Sequence, residues 1–102
     1  WRLDRAGLDH GELSHAPKHI IVDEEDTPFI VDFETASPNR RPSNVTSICQ
    51  FLFISGLVAK KVAGRLGEKD KGAIIEALRS YKNNRTRENF EGVLRACGLY
   101  TT

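Results

Sequence analysis

Apolar residues follow two different patterns along the chain. Residues 20–22 and 29–31 are short apolar runs, and an acidic turn at residues 23–28 separates them. Short runs rich in β-branched and aromatic residues with a turn between them predict a β-hairpin. Because both runs are almost continuously apolar, we also predict that other parts of the protein cover both faces of the hairpin.

From residue 44 onward, the apolar residues recur at helical spacing. Residues 45–54 are apolar on nearly every side, which predicts a helix buried at the centre of the fold, with Asn44 as its N-cap. Three amphipathic helices are predicted after it, at residues 57–66, 71–82 and 87–97. The inward-facing residues predicted for the second of these three are Ile74, Ile75, Leu78 and Tyr81.

The ends of the predicted helices carry residues that favour helix termini. Gly67 is a C-terminal stop for the first amphipathic helix, and Asp70 and Thr86 are placed to cap the next two. Residues 1–8 indicate the last turns of another helix, which ends at Gly7. The whole pattern predicts an α+β fold in which a small β-hairpin is packed on a bundle of about four helices.

The length and net charge of the chain exclude several classes of function. At 102 residues, with 39% apolar and 28% charged residues, the chain has the size and composition of one domain, residues 1–102. The formal net charge of +1 argues against nucleic acid as a partner, because nucleic-acid-binding domains usually carry a basic excess. No apolar run approaches the roughly 18 residues that a membrane span needs. We therefore expect a cytoplasmic protein with no membrane partner, in which Cys49 and Cys97 are buried thiols.

The predicted hairpin brings two carboxylates to one end of the sheet. Glu12 lies in the loop before the first strand, and Asp32 directly follows the second apolar run. In a hairpin, the start of the first strand and the end of the second lie side by side. Two carboxylates at such a place suit a metal-assisted phosphoryl transfer. One orients the proton of the attacking hydroxyl, and the other holds the magnesium that neutralises the phosphates.

The motifs around these carboxylates resemble those of a known superfamily. HGELS at residues 10–14, HIIV at 19–22 and IVDFE at 30–34 resemble the catalytic loop (H-x-D-L-x-x-x-N-I-L) and the metal-binding segment (D-F-G) of protein kinases. The resemblance covers roughly residues 8–55 and is strongest to small atypical kinases. These are the Rio-like proteins, the lipopolysaccharide-core kinases and the predicted archaeal serine/threonine protein kinases. It implies that the fold is a kinase-like C-terminal lobe.

The resemblance also implies a role for each matching residue. Asp32 would hold Mg²⁺, and Glu12 would be the catalytic residue that positions the acceptor hydroxyl. His19 takes the place of the metal-binding Asn by strand register, and His10 would orient the catalytic loop, residues 9–19. The implied cofactors are ATP and Mg²⁺, and the implied phosphate acceptor is a protein serine or threonine, or else a small molecule.

Three residues depart from the kinase pattern. Glu12 stands where an Asp is expected, His19 where an Asn is expected, and Glu34 where D-F-G has its Gly. These departures leave a second function open. A pseudokinase or non-catalytic interaction module would keep the hairpin, residues 19–33, and the helical part, residues 44–98, without the chemistry.

A kinase also needs a lobe that holds the nucleotide, with a Gly-rich loop and a phosphate-binding lysine, and neither motif occurs in this sequence. The chain begins at Trp1 and contains no methionine. We therefore expect a piece of a longer protein that is inactive alone and whose partner is its own N-terminal lobe.

A zinc site is an alternative interpretation of the same loop. His10, His15 and His19 lie close in sequence to Glu12 and Asp9, and all five carry groups that bind zinc. Magnesium prefers oxygen ligands, so the histidines fit zinc better than they fit magnesium.

The basic residues allow further interpretations. Arg40 and Arg41 are candidates for contact with a phosphate or an acidic substrate, and equally for an ordinary surface pair. The helices at residues 57–97 allow a helix-turn-helix that binds DNA, although the basic excess typical of such domains is missing.

Overall fold

The computed structural model describes residues 1–14 and 19–99. Within these ranges the chain forms helices and one two-stranded antiparallel sheet, so the fold is α+β, as predicted. In chain order the elements are α1 (Arg2–Ala6), β1 (Ile20–Val22), β2 (Pro28–Ile30), α2 (Asn44–Cys49), a π-helical segment (Gln50–Ile54), α3 (Leu57–Leu66), α4 (Lys71–Asn83) and α5 (Arg87–Ala96). All the predicted helices are confirmed, with bounds shifted by a residue or two.

Two of the predicted helix caps are confirmed in atomic detail. The Asp70 carboxylate accepts a hydrogen bond from the Ala73 N–H at 3.1 Å, and the Thr86 hydroxyl accepts one from the Asn89 N–H at 3.1 Å. Each bond satisfies one of the free N–H groups at a helix start. The prediction of Asn44 as an N-cap is wrong. Ser43 occupies that position, and the Asn44 side chain is buried and bonded elsewhere.

The central helix changes its winding halfway. α2 continues without a break into the π-helical segment, where the Ser55 N–H donates to the Gln50 carbonyl five residues back at 3.3 Å. Gly56, at a φ of 94°, then turns the chain into α3.

No single helix in the described part is long and apolar enough to cross a membrane. One bent pair, Asn44–Ile54 and Leu57–Leu66, passes on length and composition together, at an angle of 70°.

The hydrophobic core lies between the central helix and the pair α4 and α5. Its buried members are Val45, Cys49, Phe53, Ile74, Leu78, Tyr81, Val93 and Cys97. The prediction that Ile75 faces inward is wrong, since its side chain is exposed. One residue advances a helix by about 100°, and here Ile74 points into the core while Ile75 lies towards solvent.

The hairpin pairs Ile20 with Ile30, Ile21 with Phe29 and Val22 with Pro28. The prediction that both of its faces are covered is wrong for the described chain. Four apolar strand residues are 40–56% exposed, namely Ile21, Val22, Phe29 and Ile30. On the face that carries Ile20 and Ile30, these two residues line an apolar cavity of about 420 Å³ together with core residues of the helices.

A buried carboxylate joins the first helix to the bundle. Asp4 accepts hydrogen bonds from the Tyr81 hydroxyl at 2.6 Å and from the Asn44 side-chain amide at 2.7 Å and backbone N–H at 2.9 Å. The Asn44 amide also donates to the Leu8 carbonyl at 2.8 Å, and its oxygen accepts from the His10 N–H at 2.8 Å. This network, which we call the Asp4 network, fixes the start of the loop that carries Glu12.

Replacing Asp4 by alanine should destabilise the protein strongly. The change leaves the buried hydroxyl and amide donors without an acceptor, so we expect the free energy of unfolding to fall by about 3 kcal/mol. Urea denaturation followed by circular dichroism measures the change. Asp70→Ala is the matched control, because it removes one exposed cap and should cost about 1 kcal/mol. Equal losses in the two variants would contradict the central position of Asp4.

Stability should also fall at alkaline pH because of Tyr81. Burial first, and the neighbouring Asp4 carboxylate second, raise the pKa of Tyr81 above its ordinary value. Since the folded state holds the neutral phenol, the stabilisation is complete below about pH 10 and is lost as the pH rises from there towards the folded-state pKa. We expect the stability advantage of the wild type over Tyr81→Phe in urea denaturation to shrink by about 1 kcal/mol between pH 9 and pH 11. A constant difference would contradict the assignment.

Candidate metal centre

The hairpin register places His19 and Asp32 at the same end of the sheet. The Val31 N–H donates to the His19 carbonyl at 2.8 Å, which extends the strand pairing by one more bond beyond β1 and β2. Asp32 is the next residue of the chain. The loop before β1 contributes Glu12, so three side chains from two separate segments meet.

The three side chains form a cluster that could hold a metal ion. One ligand atom from each of Glu12, His19 and Asp32 lies within 4.8 Å of the other two. The Nε2 atom of His19 lies 3.7 Å from a Glu12 carboxylate oxygen, and its Nδ1 atom lies 3.6 Å from an Asp32 carboxylate oxygen. The His19 residue is only 5% exposed, and Nδ1 has no hydrogen-bond partner among the described residues.

A divalent ion fits this donor set once the side chains move closer together. Three ligands at about 2.1 Å from one ion lie roughly 3.0 to 3.6 Å from one another, so atoms that are up to 4.8 Å apart must approach by about 1 Å to share one ion. The carboxylates suit magnesium and manganese, whereas the imidazole is better matched to transition metals. The same geometry also fits an imidazolium paired with both carboxylates. In that case the positive charge between the two carboxylates is carried by the protonated His19 ring and not by a metal ion.

His10 joins the loop that carries Glu12 to the end of the hairpin. Its ring is fully buried, with Nε2 at 2.9 Å from the Val31 carbonyl and Nδ1 accepting the Glu12 N–H at 3.3 Å. These two contacts are consistent with one neutral tautomer, in which Nε2 carries the proton. The Phe33 ring and the imidazole pack edge to face, with a centroid distance of 4.9 Å. These contacts join the loop to the end of the hairpin, and the role of His10 in orienting the loop stays a prediction.

The backbone at Asp32 is strained. Its φ of 62° lies in the left-handed region, which residues other than glycine rarely adopt. Asp26 has the same φ, but it lies in the hairpin turn, where such values are usual. Strained backbone outside turns is concentrated at functional sites, which marks Asp32 as a candidate on grounds independent of any motif.

Arg40 and Arg41 both bind groups of the protein itself. Arg40 donates to the Asp9 carboxylate at 3.0 Å and to the Thr35 carbonyl, and Arg41 donates to the Lys82 carbonyl. Neither residue belongs to the cluster of Glu12, His19 and Asp32. Their predicted contact with a phosphate or an acidic substrate receives no support from these bonds and stays a prediction.

The zinc alternative receives little support from the described residues. Both ring nitrogens of His10 have partners, and the Asp9 carboxylate is bonded to Arg40 and Ser43. His15, the third histidine of that alternative, lies outside the described residues.

Sequence reasoning found the cluster but missed the groups that support it. Asp4 in α1 and Arg40 in the loop before α2 have no motif around them, and an isolated charged residue in a sequence usually indicates a solvated surface. Asp9 lies 31 positions from Arg40 along the chain, and Tyr81 lies 77 positions from Asp4. Comparison of the sequence with known protein families and with curated proteins gives no match.

Binding of a divalent ion tests the cluster directly. Mn²⁺ at one hundred times its dissociation constant should raise the free energy of unfolding by about 2.7 kcal/mol. Asp32→Asn should abolish this gain, because it removes a charged ligand while asparagine tolerates the left-handed backbone. Urea denaturation with and without Mn²⁺ measures the effect. Glu34→Gln is the matched control, since Glu34 lies two residues away and outside the cluster. A gain that survives in Asp32→Asn would place the ion elsewhere.

Proposed function

We propose that this chain is the C-terminal lobe of an ATP-dependent phosphotransferase of the atypical serine/threonine protein kinase type. One observation carries the proposal. The residues at the three positions that the kinase resemblance selects, Glu12, His19 and Asp32, come from two separate segments of the chain yet converge within 4.8 Å. A chance similarity of short motifs would not require this convergence.

Each residue has a defined task in the proposed reaction. A divalent ion, when bound, neutralises the charge of the transferred phosphate. Asp32, whose side chain is partly exposed, and His19, whose ring is buried, would hold that ion. Glu12 orients the acceptor hydroxyl and accepts its proton as the phosphate is transferred. His10 fixes the backbone beneath Glu12, so the carboxylate needs little rearrangement during the reaction.

The exposed face of the hairpin is where we expect the nucleotide-binding lobe to pack. Apolar side chains in a contiguous exposed patch usually mark an interaction surface. Ile21, Phe29 and Phe33 are half-exposed and lie at or next to the strands that flank the cluster. A lobe seated on them would cover the apolar face and bring ATP to the cluster. The acceptor is a protein serine or threonine, or a small molecule that enters the same space.

A pseudokinase is the second candidate, and the position of His19 favours it. Its imidazole lies between the two carboxylates, within 3.7 Å of both. A protonated imidazole there would supply the positive charge that a metal ion would otherwise bring to the two carboxylates. The chain would then keep the lobe for interaction with other proteins and lack transfer activity.

Transfer of labelled phosphate from ATP separates the two functions. The assay uses the lobe proposed here joined to its nucleotide-binding lobe, with Mg²⁺ or Mn²⁺ and a mixture of protein and small-molecule acceptors. Asp32→Ala should lower kcat at least a thousandfold, whereas Glu34→Ala should stay within a few-fold of the wild type. Equal activity in Asp32→Ala and the wild type would refute the metal role. No transfer by folded protein that binds nucleotide would favour the pseudokinase.

A further inference from the structure

The Arg40 guanidinium bridges the two segments that carry the cluster. Its Nε donates to the Asp9 carboxylate at 3.0 Å, and its Nη2 contacts the Thr35 carbonyl and, at 3.5 Å, the Asp9 carbonyl. Asp9 lies three residues before Glu12, and Thr35 lies three residues after Asp32. One side chain therefore joins the Glu12 loop to the segment that follows Asp32.

The bridge is anchored to the rest of the fold through Asp9. The second oxygen of the Asp9 carboxylate accepts the Ser43 N–H at 3.1 Å, just before α2 begins. The Asp9 backbone pairs with Ser37 through two hydrogen bonds, at 3.1 Å and 2.9 Å. Asp9 is itself buried, so these bonds hold a fixed point from which Arg40 reaches across the loop.

Gly11 leaves the space that Arg40 occupies. A Cβ atom at this position would lie 2.6 Å from the Arg40 Nη2 atom and 3.2 Å from the Thr35 carbonyl oxygen. Gly11 also has a φ of 95°, which favours glycine. The chain offers a matched case in Gly7, whose φ is 83° and whose Cβ would meet no atom within 4 Å.

We propose that Arg40 is a positioning residue that fixes the Glu12 carboxylate relative to His19 and Asp32. The effect of this position on catalysis rests on the proposed function, whereas the position of the Glu12 carboxylate itself does not. Arg40 acts through the two segments and not on a substrate, because its Nε and Nη2 already bind Asp9 and Thr35. Gly11 is the second part of the device, since any side chain there would displace the guanidinium.

The two halves of the bridge differ in exposure, since the Arg40 side chain is 48% exposed and the Asp9 side chain 10% exposed. Urea denaturation of Arg40→Ala and Gly11→Ala measures whether each variant stays folded, and only folded variants are compared with the wild type. Arg40→Lys should restore only part of the placement, because an ammonium group cannot reproduce the guanidinium fork.

The test has one readout without metal and one with metal. In the metal-free chain, nuclear Overhauser effects between the His19 ring protons and the Glu12 side chain report their proximity. Mn²⁺ affinity reports the assembled cluster. Arg40→Ala and Gly11→Ala should both lose the Overhauser effects and bind Mn²⁺ about tenfold more weakly. Gly7→Ala, which bears the same backbone strain without touching Arg40, and Arg79→Ala, a surface arginine on α4, should match the wild type.

Each outcome decides between the proposals. Overhauser effects that persist in Arg40→Ala, or an equal loss in Gly7→Ala, would overturn the positioning role. Overhauser effects lost in Arg40→Ala and Gly11→Ala, together with no Mn²⁺ binding by the wild type, would refute the metal site while supporting the positioning role. A double variant of Arg40 and Gly11 should show less than the sum of the two single effects, because the clash at Gly11 requires the arginine.

Discussion

The structure depends on one buried carboxylate, Asp4, and on the groups that bind it. A carboxylate removed from water is tolerated only when hydrogen bonds replace its hydration. Here the Tyr81 hydroxyl and two donors of Asn44 supply those bonds. Asn44 in turn fixes the start of the loop through its hydrogen bonds to Leu8 and His10. The loop that carries Glu12 therefore starts from a position fixed by α1, α2 and α4 together, and its short polar sequence need not fold by itself.

The loop is held by three further contacts that reach across the fold: His10 to the end of the hairpin, Asp9 to Arg40, and Asp9 to Ser37. Each links the Glu12 side of the cluster to the segment around Asp32. A site built from irregular backbone needs such support, since no regular ladder of hydrogen bonds fixes its geometry. The cluster is thus assembled from loops but positioned by the helices beneath it.

The fold followed from local rules wherever the cause was local. The spacing of apolar residues located the four helical segments after residue 43, and the side chains of Asp70 and Thr86 marked two of their starts because capping involves neighbouring residues. The same rules failed where the cause was distant. Asn44 resembles an N-cap in sequence, but its side chain is taken up by Asp4, Leu8 and His10. The π-helical winding after Cys49 leaves the apolar pattern unchanged and so left no signal. The exposed hairpin shows a third limit of prediction from sequence. Apolar strands indicate that their surface is covered, but they do not indicate which part of the protein or which partner covers it.

Glu12 reaches His19 because of the length of its side chain. An aspartate at position 12 would be shorter by one methylene, so without a backbone shift its carboxylate would end up to roughly 1.5 Å farther from the ring. Glutamate brings its oxygen to 3.7 Å from Nε2, and the Asp32 carboxylate lies 3.6 Å from Nδ1 on the other edge of the imidazole. The buried ring therefore keeps the two acids apart, and their spacing depends on the loops that the helices hold in place.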